Sequence, residues 1–251
     1  MKLIRPGSRQ MQKILERDLI AKKRVQEKVA RIIEEVRSLG DEAVLKYTRR
    51  FDRVKLSVKQ LKVSETEISG AFQNISPEFI STLKVIIDNV TKFYTKQLKR
   101  SWQIKGEEGT SIGEMISPLE KVGVYVPAGT VPLVSTVYMT VIPAKIAGVK
   151  KIILTTPPNK YGSVDPYILA VANLLKVDEI YKLGGAQAIA ALAFGSKTVP
   201  RVDKIIGPGN QYVNEAKRQV YGYVDIDMLA GPSEVVVLAN NFCNPEFVAS
   251  D

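Results

Sequence analysis

The sequence contains no histidine. That excludes the commonest general base and the commonest metal ligand from anything these residues do alone. Chemistry has to come from carboxylates, hydroxyls, lysines, a bound cofactor or groups supplied from elsewhere. Cysteine occurs once, as Cys243, which excludes an internal disulfide and a cysteine-based zinc site and fits a reducing compartment. No GxGxxG is present, so the usual dinucleotide fingerprint is missing. Long hydrophobic runs are missing too. The least polar stretch, Thr130 to Ala144, holds Pro132, Ser135, Thr136, Thr140 and Pro143 and stops at Lys145. It is too short and too polar to span a bilayer. The opening Met1-Lys2-Leu3-Ile4-Arg5-Pro6 has charge but no apolar core, so no signal peptide is expected. With 45% hydrophobic and 25% charged residues, disorder is excluded and a packed core is within reach. A soluble, cytoplasmic protein with no membrane partner is expected.

The net charge of +10 is uneven: residues 1–60 carry 17 Lys+Arg against 8 Asp+Glu, and the rest is nearly balanced. A basic end can signal nucleic acid. Here Glu16, Asp18, Glu27, Glu34 and Glu35 interleave with the bases, and no aromatic residue alternates with them. A solvated helical face is the better reading, and no nucleic-acid partner is expected.

The first half reads as helical. Val25, Val29, Ile32, Ile33 and Val36 recur at helical spacing up to Gly40, a C′ glycine, and Asp41 is placed to cap the next helix. Ser64-Glu65-Thr66-Glu67 is a capping box, and Ser76-Pro77 an N-cap with proline at N1. Phe79, Ile80, Leu83, Ile86, Ile87, Val90, Phe93 and Tyr94 then form one stripe, expected to face a core. A short strand or two is expected between Trp102 and Ile116.

From Val122 the character changes. Apolar strand runs at about 122–126, 151–155, 179–183, 204–206 and 224–228 alternate with helical stretches. That alternation means βαβ units and a parallel sheet. The expected fold class is α/β: a Rossmann-like doubly wound domain, 122–233, inserted into a second, incomplete α/β domain of residues 1–121 plus 234–251. A further strand is expected at Glu234 to Ala239, and Asn244-Pro245-Glu246 opens a helix that the chain leaves about two turns later. This ending reads as that of a fragment.

In such sheets ligands sit beyond the carboxyl ends of the strands. Glycine clusters mark several of these ends, each setting backbone N–H groups at a helix start suited to phosphate. Gly184-Gly185-Ala186-Gln187 and Gly207-Pro208-Gly209-Asn210 each add an amide able to meet a ribose or nicotinamide. A single such glycine ordinarily just makes the turn. Several on one edge point to a nucleotide-sized ligand. Tyr125, at the end of the first strand, is either a core tyrosine or the wall of a base-binding pocket. Ser233 is either a local cap or a hydroxyl aimed into an interdomain cleft.

Four blocks resemble histidinol dehydrogenase: Val124-Tyr125-Val126-Pro127-Ala128-Gly129 with Pro132-Leu133-Val134-Ser135-Thr136-Val137; Gly184 to Ala191; Val202 to Asn210; and Asp225 to Val235. Ala128 stands where the family commonly has glycine. The resemblance takes in the whole chain and about the first three-fifths of a family member. It implies NAD- and zinc-dependent oxidation of L-histidinol to L-histidine through histidinal, the last step of histidine biosynthesis, by a homodimer. It assigns NAD contacts to Tyr125, Gln187 and Asn210 and a substrate contact to Ser233. Phe247-Val248-Ala249-Ser250-Asp251 matches the segment just before the family's zinc-binding residues. No catalytic residue and no metal ligand is therefore expected in this chain, which alone should be inactive. The alternatives are a relative that oxidises another small polar alcohol and a non-catalytic nucleotide-binding fragment.

Overall fold

The computed structural model describes residues 4–16, 19–128, 132–230 and 236–250. The chain opens with α1 (Arg9–Glu16), α2 (Leu19–Leu39), α3 (Asp41–Phe51), α4 (Val58–Leu61), α5 (Glu65–Ala71) and α6 (Pro77–Thr95). Helix α2 buries Val29, Ile32, Ile33 and Val36, the positions its periodicity marks. Gly40 ends it at φ +57°, a conformation that strains any residue with a Cβ. In α5 both halves of the capping box form: Glu67 N–H donates to Ser64 Oγ at 3.3 Å, and Ser64 N–H to Glu67 Oε2 at 3.0 Å. The Ser76 hydroxyl accepts from Phe79 N–H and caps α6.

Two local expectations are corrected. Asp41 does not cap α3. Gly40 is the N-cap, and Asp41 lies inside the first turn, where its carboxylate accepts from Thr198 Oγ1 at 2.7 Å. A partner distant in sequence has replaced the local backbone donor. The stripe on α6 is only partly a core face. Leu83 is buried, but Phe93 is 60% exposed and the rest of the stripe is half-buried. Helix α6 covers α7 on one side, and the hairpin that follows, β1 (Trp102–Lys105) and β2 (Ser111–Glu114), is exposed on both faces.

The remainder alternates: β3 (Lys121–Tyr125), α7 (Val134–Ile146), β4 (Lys151–Thr156), α8 (Pro166–Leu174), β5 (Glu179–Lys182), α9 (Gly185–Phe194), β6 (Lys204–Ile206), α10 (Gln211–Val220) and β7 (Asp225–Ile226). The five strands are parallel in the order β5-β4-β3-β6-β7. Val124 lies opposite Leu154 on one side and Ile206 on the other. The chain winds outward from β3 to β5, then returns across β3 to start β6. This is a doubly wound α/β sheet, and its direction reverses between β3 and β6.

Helix α9 is the centre of one core. Its residues Ala186 to Ala193 are all buried, under α2, α3 and α10. Val29, Ile32, Val36, Val44 and Tyr47 share that core with Ile189, Leu192 and Val213. The other face of the sheet packs under α7 and α8.

Beyond the sheet, the expected strand at 234–239 is not seen in its described part. Residues 236–239 have no regular structure, and Val236 and Leu238 are almost fully exposed. Among the described residues nothing pairs with them, and an unpaired apolar run has no ladder to hold it extended. The helix opened by Asn244 is α11 (Pro245–Ser250).

Candidate functional site

A cavity of about 810 Å³ opens at the carboxyl edge, where the winding reverses. That is the size of a pocket for a nucleotide-class ligand, at the place where open α/β sheets hold one. Tyr125 at the end of β3, Gln187 in the first turn of α9 and Asn210 at the start of α10 all line it. These residues, up to 85 positions apart in sequence, meet because β3, β5 and β6 are parallel and end at the same edge of one sheet. Ser233 lies outside the described residues.

Each of the three is set differently. The Tyr125 hydroxyl accepts the first N–H of α9, from Gly185, at 3.1 Å. Burial, with the charge of Asp52 adding to it and the Gly185 bond opposing, pushes its pKa up to about 12. The phenol therefore keeps its proton at neutral pH. Gln187 is fully buried, and among the described residues neither Oε1 nor Nε2 has a hydrogen-bond partner. Its oxygen lies against the start of α9, within 2.8 Å of where a Cβ on Gly185 would stand. Asn210 is exposed and is the N-cap of α10: Oδ1 accepts from Tyr212 N–H at 3.0 Å and Val213 N–H at 3.1 Å. Its acceptor is committed to the helix, so toward a ligand it offers the Nδ2 donor.

The turn before α10 is tightly held. Gly207, at φ +119°, is so close to the Tyr125 carbonyl oxygen that a Cβ there would collide with it. Its N–H donates to Asp227 Oδ2 at 2.8 Å, and its carbonyl accepts from Lys217 Nζ at 2.9 Å. Lys217 is completely buried and also pairs with Asp227 Oδ1. Asn214 Nδ2 donates to Gly209 O at 3.2 Å and to Ala230 O at 2.6 Å, tying the turn to the chain leading toward residue 231.

The opposite wall comes from the first two long helices. Lys28, Arg31 and Ile32 of α2, and Tyr47, Arg50, Phe51 and Asp52 at the end of α3, complete the cavity. Tyr47 and Phe51 stack with ring centroids 5.5 Å apart and planes 12° from parallel. The basic excess of residues 1–60 thus includes a solvated face that opens on the cavity. Sequence reasoning registered the charge but not its destination. Asp52 was missed altogether. It follows the last residue of α3, and its Oδ2 is buried with no partner among the described residues. Burial pushes its pKa up to about 6.

The arrangement suits a nucleotide-class ligand: unpartnered buried amide atoms, a phenol donor, an amide donor, stacked rings and three cations around one nucleotide-sized space. Zinc is different. Among the described residues no group of three or more Cys, Asp or Glu side chains is placed to hold a metal ion. The donor set that zinc prefers is not offered here. No helix among the described residues is long and apolar enough to cross a membrane.

Fold and cavity together define a doubly wound α/β protein with a nucleotide-sized pocket at its switch point. Residues 15–251 match the family model for histidinol dehydrogenase, and the chain belongs to that family. Histidinol dehydrogenase of Clostridium acetobutylicum is 46% identical over 98% of this chain and 56% of its own length. One from Bacillus cereus is 51% identical over 92% of this chain and 53% of its own length. The crystal structure of histidinol dehydrogenase from Elizabethkingia anophelis superposes with a TM-score of 0.82 at 43% identity, covering 90% of this chain and 52% of that one. The chain thus spans about half the length of the curated relatives it matches.

Proposed function

We propose that this chain carries the cofactor-binding portion of an enzyme that oxidises L-histidinol to L-histidine through histidinal in two NAD-dependent steps. Gln187 is the observation that carries the cofactor assignment. A fully buried amide with no partner costs about 1–3 kcal/mol, and it lines the cavity that Tyr125 and Asn210 also line. NAD, when bound, supplies the hydride acceptor. Tyr125 would donate a hydrogen bond from its hydroxyl to the cofactor while keeping its proton, and does not act as a base. Gln187 offers a donor and an acceptor. Asn210 donates through Nδ2 while its oxygen keeps α10 capped. Lys217 and Asp227 hold the Gly207 turn in register with Tyr125.

On the same reading, residues 122–233 form the NAD domain, and residues 1–121 with 234–251 belong to the second domain. The packing of α2 and α3 on α9 is then an interdomain seam, with the cavity at its mouth. Ser233 contacts the substrate. The zinc ligands and the groups that move protons belong to sequence beyond residue 251, and the whole enzyme is a cytoplasmic homodimer. The test is isothermal titration of the complete gene product with NAD. Wild type should bind, and Gln187→Met should bind about two- to tenfold more weakly, the loss of one neutral hydrogen bond. Equal affinities would detach these turns from the cofactor.

A further inference from the structure

Asp52 is placed against three physical preferences. It sits at the C-terminus of α3, where the helix dipole disfavours an anion, with its N–H bonded to Thr48 O at 2.9 Å. Its Oδ2 is buried, and among the described residues no hydrogen bond satisfies it. The next residue, Arg53, is at φ +59°, which turns the chain sharply after the carboxylate. Locally unfavourable features that coincide on a cavity wall usually serve a ligand.

The sheet indicates which part of the ligand. In doubly wound dinucleotide sites, an acid after the second strand of the sheet takes the ribose hydroxyls next to adenine. Here that strand is β4, and it ends Thr155-Thr156-Pro157, with no acid. Pro157 lines the cavity, and Asp52 is the one carboxylate among the described lining residues. The chain just after Asp52 is carried to the β4 side. A Cβ on Gly162, in the loop after β4, would lie 3.2 Å from Leu56 and 3.3 Å from Val54. Further along, Val63 N–H donates to Ile180 O of the neighbouring strand β5 at 2.9 Å. The N-terminal helices thus bring to this edge the acid that the sheet itself lacks.

We propose that Asp52 accepts the 2′- and 3′-hydroxyl hydrogens of the adenosine ribose and thereby makes this cavity choose NAD over its 2′-phosphorylated counterpart. This rests on reading the cavity as the NAD site. A carboxylate forms charge-assisted bonds to a diol. A 2′-phosphate removes one of those donors and sets negative charge against the carboxylate. Lys28, Arg31 and Arg50 on the same wall would welcome that phosphate once the carboxylate is neutral.

The test is calorimetric and needs no turnover. ADP-ribose and 2′-phospho-ADP-ribose are titrated into the complete gene product, with NAD as control. Wild type should favour ADP-ribose at least tenfold. Asp52→Asn should cut that preference at least tenfold, by weakening ADP-ribose and strengthening the phosphorylated form. Asp52→Ser should do the same, and thermal unfolding of both variants shows that they fold. A wild type that binds both ligands alike overturns the proposal, as does an unchanged ratio in whichever variant folds. In those cases NAD binding that still responds to Gln187→Met leaves the cofactor reading standing. A wild type that binds neither NAD nor ADP-ribose sinks both.

Discussion

Replacing Gln187 by methionine separates a ligand-binding amide from a structural one, because the two roles predict opposite changes in stability. Methionine has nearly the same volume and length, so it leaves no cavity and loses no protein hydrogen bond, since neither amide atom has one among the described residues. It does remove the desolvation cost of a buried, unsatisfied amide. Mutational data put that cost at about 1–3 kcal/mol, and allowing for imperfect fit of the thioether, a gain of about 1 kcal/mol is expected. Urea unfolding of the complete gene product reads this directly as a higher midpoint at unchanged slope. Steady-state kinetics with each substrate varied in turn should show the KM for NAD raised about two- to tenfold, with less effect on histidinol. A variant that is less stable and leaves the NAD constant unchanged would refute the reasoning. The amide would then be serving the fold, and the glycines around it would be plain strand-to-helix turns.

Asn210 should show a split between cap and ligand. Asn210→Ala loses both and should cost about 1 kcal/mol of stability as well as cofactor affinity, whereas Asn210→Ser keeps an N-cap acceptor, so it should restore the stability but not the KM for NAD. Asp52 makes folding depend on pH in a definite direction. Its folded pKa of about 6 lies above the ordinary 3.8, so the folded state holds the proton more tightly. Stability should therefore fall as pH rises from about 4 to 6 and stay lowered above that. The full shift corresponds to at most about 3 kcal/mol, and partial contact with solvent brings the expectation to about 1–2 kcal/mol. Asp52→Asn should flatten this segment of the urea midpoint against pH, and an unchanged slope would assign it to other groups. The 251-residue chain by itself should form no NADH from histidinol, retain no stoichiometric zinc through dialysis, and bind NAD at roughly millimolar strength, about 4 kcal/mol. Turnover or retained zinc in that preparation would place catalytic groups within these residues.

What could be read directly from the sequence depended on short-range physics. The capping box at Ser64 and Glu67, the Ser76-Pro77 start of α6 and the glycine that ends α2 involve groups within four residues of each other. Propensity and backbone geometry therefore decide them before any tertiary contact forms. The alternation of apolar runs and helices from Val122 is of the same kind, and it placed Tyr125, Gln187 and Asn210 at the carboxyl ends of strands in one parallel sheet. The tertiary structure decided what depends on partners far along the chain. Asp41 looked like a cap and instead bonds Thr198, 157 residues away. The α6 stripe looked like a core face and is half covered. The run at 234–239 looked like a strand, and its described part, 236–239, has no neighbour to pair with among the described residues. Basic residues that looked merely solvated turn out to rim the cavity, and Asp52 Oδ2 is buried there with no partner among the described residues, because the end of α3 lines the same cavity as the ends of strands from a sheet that begins 69 residues later. Caps and periodicities are local, so the sequence contains them. Burial and an unmet hydrogen bond are properties of an environment assembled by the whole fold.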